Sequence, residues 1–163
     1  MNREKNLMVQ IKKETESLPK FFSSIETMKD AIFDREVECR LRRINELAEL
    51  VPEHREKLMQ WCYELSGREL DSSIVMRHAR AKPLGYPGDF RLIDWIYKNE
   101  PCSQGKGLLW DKMFLRQPAS QAVRNRKKFF TEKLHLYCKE NDKASVLSLA
   151  CGPCREVLEG IRA

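Results

Sequence analysis

The apolar positions of this chain recur in steps of three and four along most of its length. From Phe33 they fall at Phe33, Val37, Leu41, Ile44, Ala48 and Val51, one stripe along one helix face. Upstream, Leu7, Met8, Ile11, Leu18, Phe21, Ile25, Met28 and Ile32 predict one or two helices broken near Pro19. Pro52 closes the third helix, and Glu53 and Glu56 suit the first turn of the next, where a carboxylate meets the positive end of the helix dipole. That next helix carries Leu58, Cys62 and Leu65 and meets Gly67. Another is expected from about Asp71 to Arg80, with Ile74, Val75 and His78 toward one side.

Residues 82–89, Lys-Pro-Leu-Gly-Tyr-Pro-Gly-Asp, interrupt the helical pattern. Proline fixes φ and glycine admits positive φ, so an ordered, turn-rich loop is predicted here. Asp89 suits the N-cap of a helix carrying Phe90, Ile93, Ile96 and Tyr97. A second loop covers Pro101–Gly107, and a short helix spans about Leu108–Leu115. Pro118 opens a long helix to about Glu140, with Ala122, Val123, Phe130, Leu134 and Tyr137 expected on its buried side. The pattern then shifts. Residues 144–150, Ala-Ser-Val-Leu-Ser-Leu-Ala, form a short, apolar, partly β-branched run with the look of a buried parallel strand. Cys151-Gly152-Pro153-Cys154 reads as a turn and Arg155 onward as a helix. No internal repeat is visible. The predicted fold is mainly α: a bundle of about six helices over 1–142, then the first strand–helix unit of a truncated Rossmann-like domain over 143–163.

Composition narrows the class without naming a function. The 163 residues hold 30 Lys and Arg against 24 Asp and Glu, a net charge of +6. Charged residues at 33% and hydrophobic ones at 42% fit a globular chain rather than a disordered one. No apolar run approaches the ~18 residues of a membrane span. The first residues carry basic groups with no apolar run after them, so a secretory signal is not expected and a cytoplasmic protein is. The six cysteines are then expected as thiols, with Cys39, Cys62 and Cys138 acting as small hydrophobes within helices. The one purely basic cluster, Arg124-Asn125-Arg126-Lys127-Lys128 before Phe129 and Phe130, has a composition that grips phosphates. Elsewhere the charges interleave with acids, so a solvated helix face is the simpler reading, and no nucleic-acid partner is expected.

A strand that turns through small residues into a helix makes a ligand site. The helix start offers unpaired N–H groups, and small residues let a ligand approach the main chain. Residues 146–156, Val-Leu-Ser-Leu-Ala-Cys-Gly-Pro-Cys-Arg-Glu, resemble motif I of the class I S-adenosylmethionine-dependent methyltransferases. Ser148, Ala150, Gly152 and Cys154 stand where the common pattern has an acid and three glycines, so only the middle glycine is kept. Residues 82–90, then 122–126, then 148–153 occur in an order similar to a bacterial methyltransferase subfamily with a helical N-terminal extension, which includes enzymes forming hydroxy fatty acid methyl esters.

The resemblance covers roughly residues 70–163 and implies the following. Ala150, Cys151, Gly152 and Pro153 pass their backbone close to the methionine part of S-adenosylmethionine. Ser148 takes the place of an acid that holds a water or the amino group. Tyr86 and its loop fold over the cofactor. Arg124 or Arg126 pairs with a carboxylate of cofactor or substrate, a partner suited to a planar guanidinium. The acceptor is a small molecule or an acyl chain, and no catalytic residue on its side is named. On this reading the chain is the N-terminal portion of such an enzyme and is inactive by itself. Residues 144–163 are expected to pair with a second copy, giving a homodimer, or to leave the strand for helix, since a lone strand leaves its backbone groups unpaired.

Two other readings stand beside it. Cys-Gly-Pro-Cys between strand and helix is also the thioredoxin-type active site, where the first cysteine attacks disulfides. The strands that follow such a motif, one of them presenting a cis-proline, have no counterpart after Cys154. The alternative is a helical interaction module without chemistry. A zinc site is not expected, because no second cysteine pair lies at suitable spacing.

Overall fold

The computed structural model describes residues 2–162, with side chains from Asn6 onward. Its α-helices are α1 (Asn2–Glu16), α2 (Leu18–Ser24), α3 (Asp30–Glu49), α4 (Arg55–Leu70), α5 (Ile74–Ala81), α6 (Phe90–Lys98), α7 (Lys106–Arg116), α8 (Pro118–Glu140) and α9 (Arg155–Arg162). Single 3₁₀ turns cover Ile25–Thr27 and Pro52–His54. The protein is mainly helical, as the periodicity requires. The chain forms two compact units: residues 1–73 with 103–110, and residues 74–102 with 111–163. Helix α7 thus starts in the first and ends in the second.

In the first unit the helix breaks follow proline. Pro19 sits in the opening turn of α2, where its missing N–H costs nothing, and Pro52 opens the 3₁₀ turn after α3. The stripe on α3 buries Phe33, Val37, Ile44 and Ala48, and Val51 is buried just beyond its end. Leu41 departs from the expectation: it is 52% exposed, and Leu47 is buried instead. Gly67 does not stop α4, which runs three residues further and buries this glycine. Trp110 packs edge-on against Phe33 at 4.8 Å and Phe22 at 6.0 Å between ring centres. Its Nε1–H donates to Glu69 Oε1 at 3.3 Å, satisfying the polar end of a buried ring. Gly107 lets α7 approach Ser72 closely; a Cβ at this position would lie 2.1 Å from the Ser72 carbonyl oxygen.

In the second unit Val75, Leu92, Ile96 and Leu115 form the buried core, covered by Ala79, Ile93, Trp95, Phe114 and Val123. Asp111 is fully buried and accepts the Cys102 N–H at 2.7 Å. Helix α8 differs from its sequence reading. Ser120 is its buried residue, whereas Ala122 is exposed, Phe130 is 54% exposed, and Tyr137 is also exposed. The cause is the width of what covers this face. The eight-residue α9 is its main partner, and Gly160 lets the two helices meet, a Cβ there falling 3.0 Å from the Thr131 carbonyl oxygen.

The expected strand–helix unit is corrected in its first half. Helix α9 starts at Arg155, but residues 144–150 are irregular, and no strand occurs among the described residues. A strand needs a neighbour to take its N–H and C=O groups, and none is present for this segment. It leaves the strand conformation without becoming helical. Its apolar side chains stay in solvent, with Leu147 84% and Leu149 81% exposed.

Candidate functional site

The irregular segment and the turn after it wall a cavity of about 1130 Å³ within the second unit. The turn is closed by the Cys154 N–H, which donates to the Cys151 carbonyl at 3.1 Å. Ala150, Gly152 and Cys154 all adopt positive φ, at 52°, 58° and 56°. That region is natural to glycine and strained for the other two. A Cβ on Gly152 would meet nothing within 4 Å, so this glycine answers to φ and not to crowding. Helix α9 then takes its first bond from the Leu158 N–H to the Cys154 carbonyl at 3.2 Å.

Two anchors hold α9 where the turn needs it. The Arg155 guanidinium grips the Asp94 carboxylate of α6 with two hydrogen bonds, one through Nε and one from Nη2 to Oδ2 at 3.2 Å. Lys98 adds a contact to the same carboxylate at 2.9 Å. The Arg155 hydrogen bond, outweighing partial burial, holds the Asp94 carboxyl below the usual carboxylate range, and raises Arg155 in turn. On the other side, Lys127 of α8 contacts Glu159 at 2.6 Å and stands 5.6 Å from the Tyr97 ring centre.

At the cavity wall, Tyr97 stands near two charges. Burial raises its pKa most, and the neighbouring Glu156 adds to the rise while Arg126 opposes it. Arg126 and Glu156 both line the cavity. Glu156 Oε2 is buried with no hydrogen-bond partner, an unmet acceptor beside the turn. Aromatic rings of Phe90, Phe130 and Tyr137 supply apolar wall.

The mouth of the cavity includes the 82–89 loop, whose end is fixed. Asp89 is buried and caps α6, accepting the N–H groups of Arg91 and Leu92 at 3.0 Å each. Its other oxygen meets His78 Nε2 at 2.7 Å, and the His78 ring stands edge-on to Trp95 at 5.0 Å. Burial pushes the Asp89 carboxyl up, but the Leu92 N–H, His78 and the Arg91 N–H together bring it below the ordinary value.

The sequence-predicted residues Tyr86, Ser148, Ala150, Cys151, Gly152 and Pro153 all line this one cavity. Arg124 does not. It lines a separate space of about 350 Å³ with Lys127, Lys128 and Glu159, and its Nη2 donates to Gln121 at 2.8 Å. Of the two arginines weighed, Arg126 is the one on the main cavity, because helical residues two apart point to opposite sides while those three or four apart share a face. Part of the basic cluster is engaged within the chain, through Lys127 to Glu159 and Lys128 to Glu132. Sequence reasoning passed over Tyr97 and Glu156 as site residues. An acid in the first turn after a small-residue bend was the available signal for Glu156.

Cys151 and Cys154 are both free and half-buried. The neighbouring Cys151 thiol, more than partial burial, raises the Cys154 pKa. No cluster of three or more metal-ligating side chains occurs among the described residues, and no described helix is long and apolar enough to cross a membrane. Comparison with models of known protein families, with curated proteins and with solved structures finds no match to this chain.

Proposed function

We propose that the chain carries the cofactor-binding turn and the helical cover of an S-adenosylmethionine-dependent methyltransferase acting on a small or acyl-chain acceptor. The observation that carries this reading is convergence. Six residues chosen from the motif resemblance and its upstream loop, 86, 148 and 150–153, line a single cavity although the loop and the turn lie about sixty positions apart.

The residues present fit such a ligand in charge and shape. Glu156 Oε2, buried and unpartnered, suits a cationic group, and Arg126 suits a carboxylate. Small residues at Ala150 and Gly152 leave the main chain open to contact. Aromatic rings offer faces for a planar base. The bound cofactor supplies a methyl group on a positively charged sulfur. This chain's part is to bind, to orient and to exclude water, through the Asp94–Arg155 anchor that holds the turn and the loop carrying Tyr86 that covers it. Methyl transfer draws largely on proximity and alignment, so a site without an evident general base is consistent with it.

In this reading the apolar 144–150 segment takes up strand form only where another strand pairs with its N–H and C=O groups. The test is ultraviolet crosslinking of S-adenosylmethionine to the full-length gene product, with the labelled peptide mapped by mass spectrometry. Label is expected within residues 144–155. Label elsewhere, or none, contradicts the proposal. A second reading, an interaction module without chemistry, draws on the exposure of Leu147 and Leu149. It predicts a partner-dependent gain of order in 144–150 with no crosslink to the cofactor.

A further inference from the structure

The Cys151–Cys154 pair has no role in the proposed chemistry, yet it brackets the turn that lines the cavity. Three observations bear on it. The two residues are the ends of a four-residue turn closed by a hydrogen bond of 3.1 Å between their own main chains. Such a turn keeps its end Cα atoms within about 7 Å, overlapping the separations that a disulfide spans. Neither thiol is tied up elsewhere in a disulfide. Only Cys151 of the two faces the cavity.

We propose that Cys151 and Cys154 form a reversible disulfide with a small-molecule disulfide of the glutathione class as oxidant, and that closing it weakens ligand binding at the turn. The second clause rests on the functional reading above; the first does not. Cys151, the one of the two on the cavity wall, attacks first. The Cys151 thiolate attacks one sulfur of oxidised glutathione, forming a mixed disulfide and expelling one glutathione thiolate. Cys154 then attacks the Cys151 sulfur and expels the second. The two protein thiols lose two electrons and two protons, and two glutathione thiols gain them. The sulfurs must close to about 2.05 Å. The turn absorbs that contraction, and residues 150–153 that line the cavity move with it. A ligand shaped to the dithiol form loses fit in the disulfide form.

The chain itself makes the test convenient, because Lys143 and Arg155 bound one tryptic peptide holding both thiols. The 163-residue protein is equilibrated in glutathione buffers of graded ratio, quenched with acid, alkylated and mapped. The 144–155 peptide is expected to become two hydrogens lighter and resistant to alkylation at ratios where Cys39, Cys62, Cys102 and Cys138 remain thiols, and dithiothreitol is expected to reverse it. With Cys154→Ser, glutathione is expected to stay trapped on Cys151. A peptide that stays a dithiol, or oxidises no earlier than the other four thiols, overturns the disulfide. For the second clause, crosslinking of S-adenosylmethionine to the full-length gene product is compared before and after oxidation. Label is expected to fall by about fivefold or more, the low end of coupling between linked sites. Undiminished label on the oxidised protein overturns the coupling. Absence of label on the reduced protein overturns the methyltransferase reading while leaving the disulfide standing.

Discussion

Asp89 joins three tasks in one buried carboxylate: it caps α6, pairs with His78 and pins the end of the loop that carries Tyr86. Replacing it with alanine removes the cap and leaves two N–H groups and His78 without their acceptor. A loss of about 1–2 kcal/mol is expected from the cap alone, seen as a lower Tm. The pH dependence has a definite sign. The folded carboxyl lies below its ordinary value, so its contribution is present above the unfolded pKa of about 3.9 and is lost as pH falls through the folded value. The wild type is therefore expected to lose part of its stability below about pH 4, and Asp89→Ala to lose less over the same range. Equal acid sensitivity in both proteins would contradict this role. Gly107 makes a sterner demand, because a methyl group there runs into the backbone of Ser72 rather than into a flexible side chain. Gly107→Ala is expected to cost about 2–3 kcal/mol in chemical denaturation, and an unchanged midpoint would show that the helix shifts freely.

Helix α9 has eight residues, too few to be stable alone, so its order comes from docking. Arg155, Lys127 and Gly160 are the means: a two-bond clamp to Asp94, an ion pair with Glu159 and a close approach to α8. Asp94→Asn is expected to lower amide-exchange protection in 155–162 by about tenfold, in line with charge-assisted hydrogen bonds, while protection in α3 stays as it was. Acidification toward and below the depressed Asp94 pKa is expected to act in the same direction. Much at this scale was legible in the sequence. Proline and the apolar spacing gave the breaks at Pro19 and Pro52, the loop at 82–89, the Asp89 cap and the start of α8 at Pro118. Two kinds of feature were not. Which side of α8 is covered depends on a helix that packs from far along the chain, so periodicity alone buried Phe130 and Tyr137 wrongly. Strand character in 144–150 depends on a pairing partner, which no local pattern supplies. The site was legible where the turn chemistry is local, at Ala150–Pro153. It was not legible where the fold chooses between neighbours on one helix, as with Arg126 over Arg124, or joins distant elements, as with Tyr97 and Glu156.

Across the molecule, the two units differ in what they leave exposed. The first is built around Phe33 and Trp110 and buries Phe21 and Phe22 with them. The second leaves Phe130, Tyr137, Leu147 and Leu149 accessible around and beside the cavity. The bend between residues 148 and 153 is proposed to receive a sulfonium nucleoside through its main chain. Amide chemical shifts of isotope-labelled full-length gene product, recorded as S-adenosylmethionine is added, decide this. Saturable shifts are expected at Ala150, Cys151, Gly152 and the first turn of α9, with residues around Phe33 unmoved. Saturable shifts confined to other regions, or a spectrum that does not respond at all, would contradict it.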